Sequence, residues 1–76
     1  MMQEHRIQLA TLDDRMNFVK TARKLNCDVD LRSGNICVDG KSELGVMGFN
    51  GEIGRSKVRV FSDKKADLEA FKKWFV

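Results

Sequence analysis

The 76-residue chain carries 14 Lys and Arg residues against 11 Asp and Glu, which gives a formal net charge of +3 at pH 7. Its apolar fraction of 42%, with five Phe and one Trp, can fill one small core and excludes intrinsic disorder. No apolar stretch approaches the roughly 20 residues of a membrane span, and no signal-peptide core follows residues 1–6. We therefore expect residues 1–76 to form one cytoplasmic domain, monomeric and without a cofactor.

The first elements predicted along the chain are a strand and a helix. Residues 5–9 alternate polar and apolar side chains, which predicts a strand with one buried face. Thr11 precedes an apolar stripe at helical spacing, so its hydroxyl is expected to cap a helix that runs to about Leu25. Asp13 and Asp14 lie in the first turn, where the helix dipole stabilises carboxylates. The stripe consists of Leu12, Met16, Phe18, Val19, Ala22 and Leu25.

A β-hairpin is predicted next. Residues 27–32 and 36–39 alternate apolar and polar side chains on either side of a short polar segment. Gly34 and Asn35 suit a two-residue type II′ turn, in which glycine takes the first position. This turn pairs Leu31 with Val38 and Arg32 with Cys37.

The same register predicts which face of the sheet each of the two cysteines occupies. Cys27 faces the core and Cys37 faces outward, so a disulfide between them is not expected. The sequence has no CxxC pair, and its one histidine, His5, is distant along the chain from both cysteines. A zinc site is therefore not expected either.

The second half of the chain predicts a short helix, a loop, a strand and a closing helix. Ser42 is expected to cap the short helix, and the glycine-rich residues 49–54 predict a loop. Residues 57–61 alternate as a fourth strand, and residues 66–75 form an amphipathic helix with Trp74 at its edge. The inward residues of the loop are expected to be Phe49 and Ile53. Strands that are apolar on one side only predict an α+β open sandwich, an antiparallel sheet with helices on one face.

Residues 41–47, with the sequence KSELGVM, resemble a segment of the HPr family, the histidine-containing phosphocarriers of the bacterial sugar phosphotransferase system. The family carries Lys-Ser-x-x-Gly-Val-Met there, around a regulatory serine. Residues 19–25 fit the end of the family's first helix, and residues 34–35 fall on its strand turn, so the resemblance covers nearly the whole chain. It implies a four-stranded antiparallel sheet with three helices on one face.

The resemblance fails where HPr proteins carry Gly-Leu/Ile-His-x-Arg-Pro, the motif of the phosphorylated histidine and its supporting arginine. Aligned with that motif, Thr11 occupies the place of the histidine, Asp13 that of the arginine and Asp14 that of the proline. Two carboxylates would repel a phosphoryl group at this position. His5 lies on the first strand, where a solvated surface side chain is expected. The departure implies a protein that is not an enzyme and carries no phosphohistidine.

Ser42 corresponds to the regulatory serine of the family, which makes it the candidate for regulatory phosphorylation. Helix capping alone is sufficient to explain the serine, and we favour it over phosphorylation. A phosphate there would meet the N–H groups at the helix start and the cation Lys41, whereas Glu43 would repel it.

Leu44 and Met47 lie three residues apart on the same short helix. In the family, the matching residues form an exposed apolar patch that partner proteins bind. The alternative is burial in the core, the commoner fate of a leucine. With Lys41, these residues form the predicted partner-binding set.

The outer face of the sheet is predicted to carry a mixture of charges, with Asp28, Asp30 and Asp39 among several basic residues. The basic residues are Arg6, Arg32, Lys57 and Arg59. Three functions remain open. The first is a non-catalytic HPr-like module that binds a phosphotransferase-system or regulatory protein. The second is a residual phosphocarrier that uses another residue such as His5, and the third is a basic module for nucleic acid or another polyanion.

Overall fold

The structure is a computed structural model that describes residues 1–50 and 55–76. Four strands form one antiparallel sheet in the order β1-β4-β2-β3. The strands are β1 (Gln3–Arg6), β2 (Val29–Ser33), β3 (Ile36–Asp39) and β4 (Ser56–Val60). The helices are α1 (Leu12–Arg23), α2 (Glu43–Met47) and α3 (Lys65–Glu69), and a 3₁₀ turn follows at Lys72–Trp74. The predicted α+β class, with a four-stranded antiparallel sheet and three helices, is confirmed.

The hairpin between β2 and β3 has the predicted register. Leu31 pairs with Val38 and Arg32 pairs with Cys37. Gly34 has a φ of +57°, and it is the one described residue with a positive φ. A positive φ at the first turn position alone fits the type II′ geometry expected there.

The two faces of the sheet differ as the alternation predicts. Residues of β2 and β4 that point towards the helices are buried, whereas their neighbours along each strand are partly or fully exposed. Cys27 is half-buried and packs against the core, whereas Cys37 is exposed, so the two thiols face opposite sides of the sheet as predicted. The buried apolar core consists of Ile7, Phe18, Val19, Ala22, Val29, Leu31, Val46, Phe49, Val58, Val60, Phe71 and Trp74.

Two predictions about the first strand and the first helix were wrong in detail. The first strand begins at Gln3 and ends at Arg6, and Ile7 instead bridges to Phe75 near the end of the chain. Leu12 was expected in the buried stripe of α1, but it is 66% exposed. It is the first residue of the helix, and the buried residues of α1 begin only at the second turn.

The predicted closing helix is divided in two. α3 ends at Glu69, and Phe71 leaves helical geometry with φ −103° and ψ 6° before the 3₁₀ turn begins. Trp74 was expected at the edge of the helix, but it is buried, as is Phe71. A 3₁₀ turn aligns residues three apart, so the break lets both rings enter the core beside Phe18. Of the loop residues, Phe49 is buried as predicted, and Ile53 lies outside the described residues.

Candidate functional site

The N-terminus of α1 is a complete capping box. The Thr11 hydroxyl oxygen accepts a hydrogen bond from the Asp14 backbone N–H at 3.0 Å, and the Asp14 carboxylate accepts one from the Thr11 N–H at 3.3 Å. The second oxygen of the same carboxylate accepts a hydrogen bond from the Trp74 indole N–H at 3.3 Å. Thr11 therefore caps the helix as predicted, and Asp14 also ties the helix to the 3₁₀ turn.

His5 lies at the edge of the sheet. Its imidazole stacks on the Phe75 ring with the centroids 3.9 Å apart and an interplanar angle of 10°. Nδ1 lies 2.8 Å from the Arg6 carbonyl oxygen. The side chain is exposed, as predicted, but the stacking on Phe75 was not visible in the local sequence because the two residues are far apart along the chain.

Ser42 and Lys41 connect the start of α2 to its surroundings. The Ser42 hydroxyl oxygen accepts a hydrogen bond from the Gly45 backbone N–H at 3.1 Å, so the predicted cap is present. The Lys41 ammonium donates to the Leu25 carbonyl at 2.8 Å, just beyond α1. A second bond joins the same two segments: the Arg23 Nε–H donates to the Lys41 carbonyl at 2.9 Å. These two bonds fix the end of α1 against the start of α2.

The far end of α2 is held by Arg15, a contact that the sequence did not indicate. Its Nη1 lies 2.7 Å from the Phe49 carbonyl oxygen, 3.0 Å from that of Met47 and 3.3 Å from that of Val46. A guanidinium at the end of a short helix offsets the partial negative charge of its unpaired carbonyls. Together with the Ser42 cap, Arg15 fixes both ends of the helix.

The apolar residues of α2 divide between the core and the surface. Val46 is buried, Met47 is half-buried and Leu44 is 89% exposed. Of the two interpretations that the sequence left open for Leu44, the structure favours exposure. Leu44 therefore projects from a short helix that is fixed at both ends, the arrangement expected of a side chain that a partner could contact without deforming the helix.

The predicted basic residues of the sheet do lie on the face turned away from the helices. Glu4 on β1 bonds to two of them, accepting a hydrogen bond from the Arg59 Nε–H at 2.9 Å and pairing with the Lys57 ammonium at 3.6 Å. The hydrogen bond from Arg59 is the largest of the effects that lower the pKa of the Glu4 carboxyl. Among the described residues, no group of three His, Cys, Asp or Glu side chains is arranged to hold a metal ion.

The architecture is shared with solved structures of known proteins. A phosphocarrier protein HPr from Bacillus anthracis superimposes with a TM-score of 0.74, covering 100% of this chain and 96% of that protein at 20% identity. The fold is HPr-like. An HPr-C-His structure from Thermoanaerobacter tengcongensis matches with a TM-score of 0.70, covering 96% of this chain and 88% of the other at 19% identity.

No protein-family model matches the chain, and no curated protein is significantly similar to it. At 19–20% identity the structural likeness establishes the fold, and the activity has to be argued from the residues of this chain.

Proposed function

We propose that this chain is a non-catalytic HPr-like protein that acts in the bacterial cytoplasm by binding a protein of the sugar phosphotransferase system. Its docking surface is Leu44, Met47 and Lys41 on and beside α2. The observation that carries the proposal is the 89% exposure of Leu44 on a helix whose two ends are both fixed. A large apolar side chain held rigidly in water is typical of a binding residue.

The non-catalytic part of the proposal rests on the start of α1. A phosphohistidine carrier needs an exposed imidazole next to groups that hold a phosphoryl anion. Thr11 is already engaged as the helix cap, and the Asp14 carboxylate bonds to both Thr11 and Trp74. Asp13, exposed in the same turn, adds a second negative charge. Neither the hydroxyl nor these carboxylates can replace the imidazole.

Regulatory phosphorylation of Ser42 remains a prediction within this proposal. Ser42 is half-buried and its hydroxyl oxygen accepts a hydrogen bond from the Gly45 N–H, so a kinase would have to release the cap before the oxygen is modified. Phosphorylation would place about two negative charges beside Glu43 and next to the docking surface. We therefore expect it to weaken partner binding rather than to support it.

The binding part can be tested with the first phosphotransferase of a bacterial phosphotransferase system as the probe. Titrating it into the ¹⁵N-labelled chain should perturb the amides of α2 most strongly. Leu44→Asp should weaken this binding by about ten-fold or more, since central apolar contacts are worth at least about 1–2 kcal/mol. Val76→Asp, at an apolar residue 56% exposed beyond the 3₁₀ turn, is the matched control and should leave the affinity unchanged. Absence of binding, or equal losses in both variants, would contradict the proposed surface.

A further inference from the structure

The outer face of the sheet, turned away from the helices, carries opposite charges at its two ends. Side chains at directly opposed positions of a sheet share a face, so they form rows across the strands. The basic row, taken in the order β1, β4, β2 and β3, is Arg6, Lys57, Arg32 and Cys37. The acidic row, two residues along each strand, is Glu4, Arg59, Asp30 and Asp39. The sequence predicted a mixture of charges on this face, whereas the two rows carry net charges of opposite sign.

Each end of this face is concave. At the acidic end, a hollow of about 380 Å³ is lined by three carboxylates and an aromatic residue that is 42% exposed. These residues are Asp28, Asp30, Asp39 and Phe61. At the basic end, a depression of about 370 Å³ has no acidic side chain among its described lining residues, which are Arg6, Arg32, Gly34, Arg55, Lys57 and Arg59. A surface with one basic and one acidic end is complementary to a copy of itself turned through 180°.

A two-fold axis exchanges the two rows. The positions midway between them are His5, Val58, Leu31 and Val38. An axis over these positions, parallel to the sheet and perpendicular to the strands, stacks a second copy face to face on the first. Each strand then lies over its own counterpart in the second copy, running in the opposite direction, and each basic row lies over an acidic row. Such an interface is isologous, so every contact occurs twice.

The central strand β2 brings opposite charges together. Arg32 lies over Asp30 of the second copy, and Asp30 lies over its Arg32. Stacked sheets lie about 10 Å apart, a gap that an arginine and an aspartate side chain span together. Neither side chain has an ion-pair partner among the described residues, and the Arg32 Nε is buried without a hydrogen bond there. Packed sheets are rotated by about 30° through their twist, which displaces the residues of central strands least.

The other central strand, β4, brings like charges together. Lys57 lies over Arg59 of the second copy, which opposes association. Glu4 offsets this repulsion within each copy, since it accepts a hydrogen bond from the Arg59 Nε–H at 2.9 Å and pairs with the Lys57 ammonium at 3.6 Å. With Asp28, the two rows carry four cations and four carboxylates. These residues therefore have no net formal charge that would drive two copies apart.

We propose that the outer face of the sheet binds a second copy of this chain, with Arg32 of each copy paired to Asp30 of the other. The principal extents of the molecule are 28 × 21 × 21 Å, so one face buries on the order of 600 Å² per copy. Stable interfaces bury about 800 Å² per partner, so this dimer is weak and exchanges with monomer. The monomer expected from the sequence is then the state at low concentration.

This interface is independent of the proposed docking surface. The two rows lie on the sheet face turned away from the helices, whereas Leu44 lies on α2. Failure to dimerise would leave partner binding through Leu44 untouched, and failure of partner binding would leave the dimer in place.

Sedimentation velocity over a range of protein concentrations at low salt measures the equilibrium between monomer and dimer. Arg32→Asp and Asp30→Arg should each weaken dimerisation by about ten-fold or more, because each creates two like-charge contacts. An equimolar mixture of the two variants should dimerise again, since one copy then presents two carboxylates to two arginines of the other. Lys20→Glu, a charge reversal at an exposed position of α1, is the matched control and should change the dissociation constant less than about two-fold.

Circular dichroism shows that each variant is folded, and Arg32→Gln or Asp30→Asn replaces a reversal that fails to fold. Each neutral variant should weaken dimerisation less than the reversal does but more than Lys20→Glu. The proposal is supported if both reversals dissociate the dimer, the mixture restores it, and the amides of Asp30, Arg32 and Phe61 shift with protein concentration.

The proposal is overturned if the wild-type chain stays monomeric at the concentrations used for NMR, or if the mixture associates no better than either variant alone. It is also overturned if Lys20→Glu is as damaging as the reversals on β2. A dimer that both reversals leave intact, with concentration-dependent shifts in α2, would place self-association on the helical side and would equally contradict it.

Discussion

Replacing Arg15 with Met should destabilise the protein by about 2 kcal/mol, because it removes the contact that closes α2. One guanidinium nitrogen carries two hydrogens, so the two shortest contacts of Nη1, to Phe49 and Met47, are its strongest bonds. Hydrogen bonds to a charged group contribute roughly 1.5–3 kcal/mol each. Because Arg15 is half-buried, water reaches the Met47 and Phe49 carbonyls once the guanidinium is removed and restores part of their hydrogen bonding. We therefore expect losing both bonds to cost about as much free energy as losing one. Methionine keeps the aliphatic stem and the helix propensity.

Urea unfolding followed by circular dichroism measures the loss. A change of about 2 kcal/mol corresponds to a fall of roughly 8–16 °C in Tm for a domain of this size. Lys20→Met is the control, since it removes a positive charge from an exposed position of the same helix, and it should stay within about 0.5 kcal/mol of the wild type. Hydrogen exchange should also show faster exchange in α2 of Arg15→Met. Equal stability of the two variants would refute the view that Arg15 holds the helix.

Thr11→Ala should cost about 1 kcal/mol in urea unfolding through loss of the cap, and Thr11→Ser should retain most of it; an unchanged midpoint for the alanine variant would count against the capping role. A thiol reagent should modify Cys37 quickly and Cys27 slowly, because burial raises the pKa of the Cys27 thiol and lowers its thiolate fraction; equal rates would argue against the two facing opposite sides. The interaction that lowers the pKa of Glu4 should stabilise the fold fully above the ordinary value of 4.5, and this stabilisation should be lost as the pH falls through the lower folded pKa. The stability difference between wild type and Glu4→Gln should therefore disappear in acid, and a difference that persists there would show that charge is not its source.

Local patterns in the sequence were sufficient for the elements that depend on neighbouring residues. The hairpin register followed from Gly34 and the alternation around it, and both helix caps, Thr11 and Ser42, followed from residue type and position. These features are fixed by turn geometry and by the unpaired N–H groups at a helix start. Turns and helix caps depend on residues that are adjacent in the sequence, so one sequence is enough to predict them.

The features that were missed depend on residues distant along the chain. The break before the 3₁₀ turn lets Phe71 and Trp74 pack beside Phe18, a contact that helical periodicity alone does not reveal. The contact of Arg15 with the end of α2 likewise joins residues more than 30 positions apart. Which charged residues are neighbours across the outer face depends on the strand order β1-β4-β2-β3, which places β4 between two strands that precede it in sequence. Alternation predicted which residues face outward, but not their neighbours across the sheet.

The central claim is that this HPr-like fold carries no phosphohistidine, and intact-mass spectrometry tests it directly. The chain is incubated with phosphoenolpyruvate and the first phosphotransferase of the system, beside an active HPr that reports a competent reaction. We expect the mass of the chain to stay unchanged while the active HPr gains one phosphoryl group, because Thr11 and Asp14 are engaged in the capping box and Asp13 repels the anion. An acid-labile gain of one phosphoryl group on this chain, located at His5, would contradict the claim.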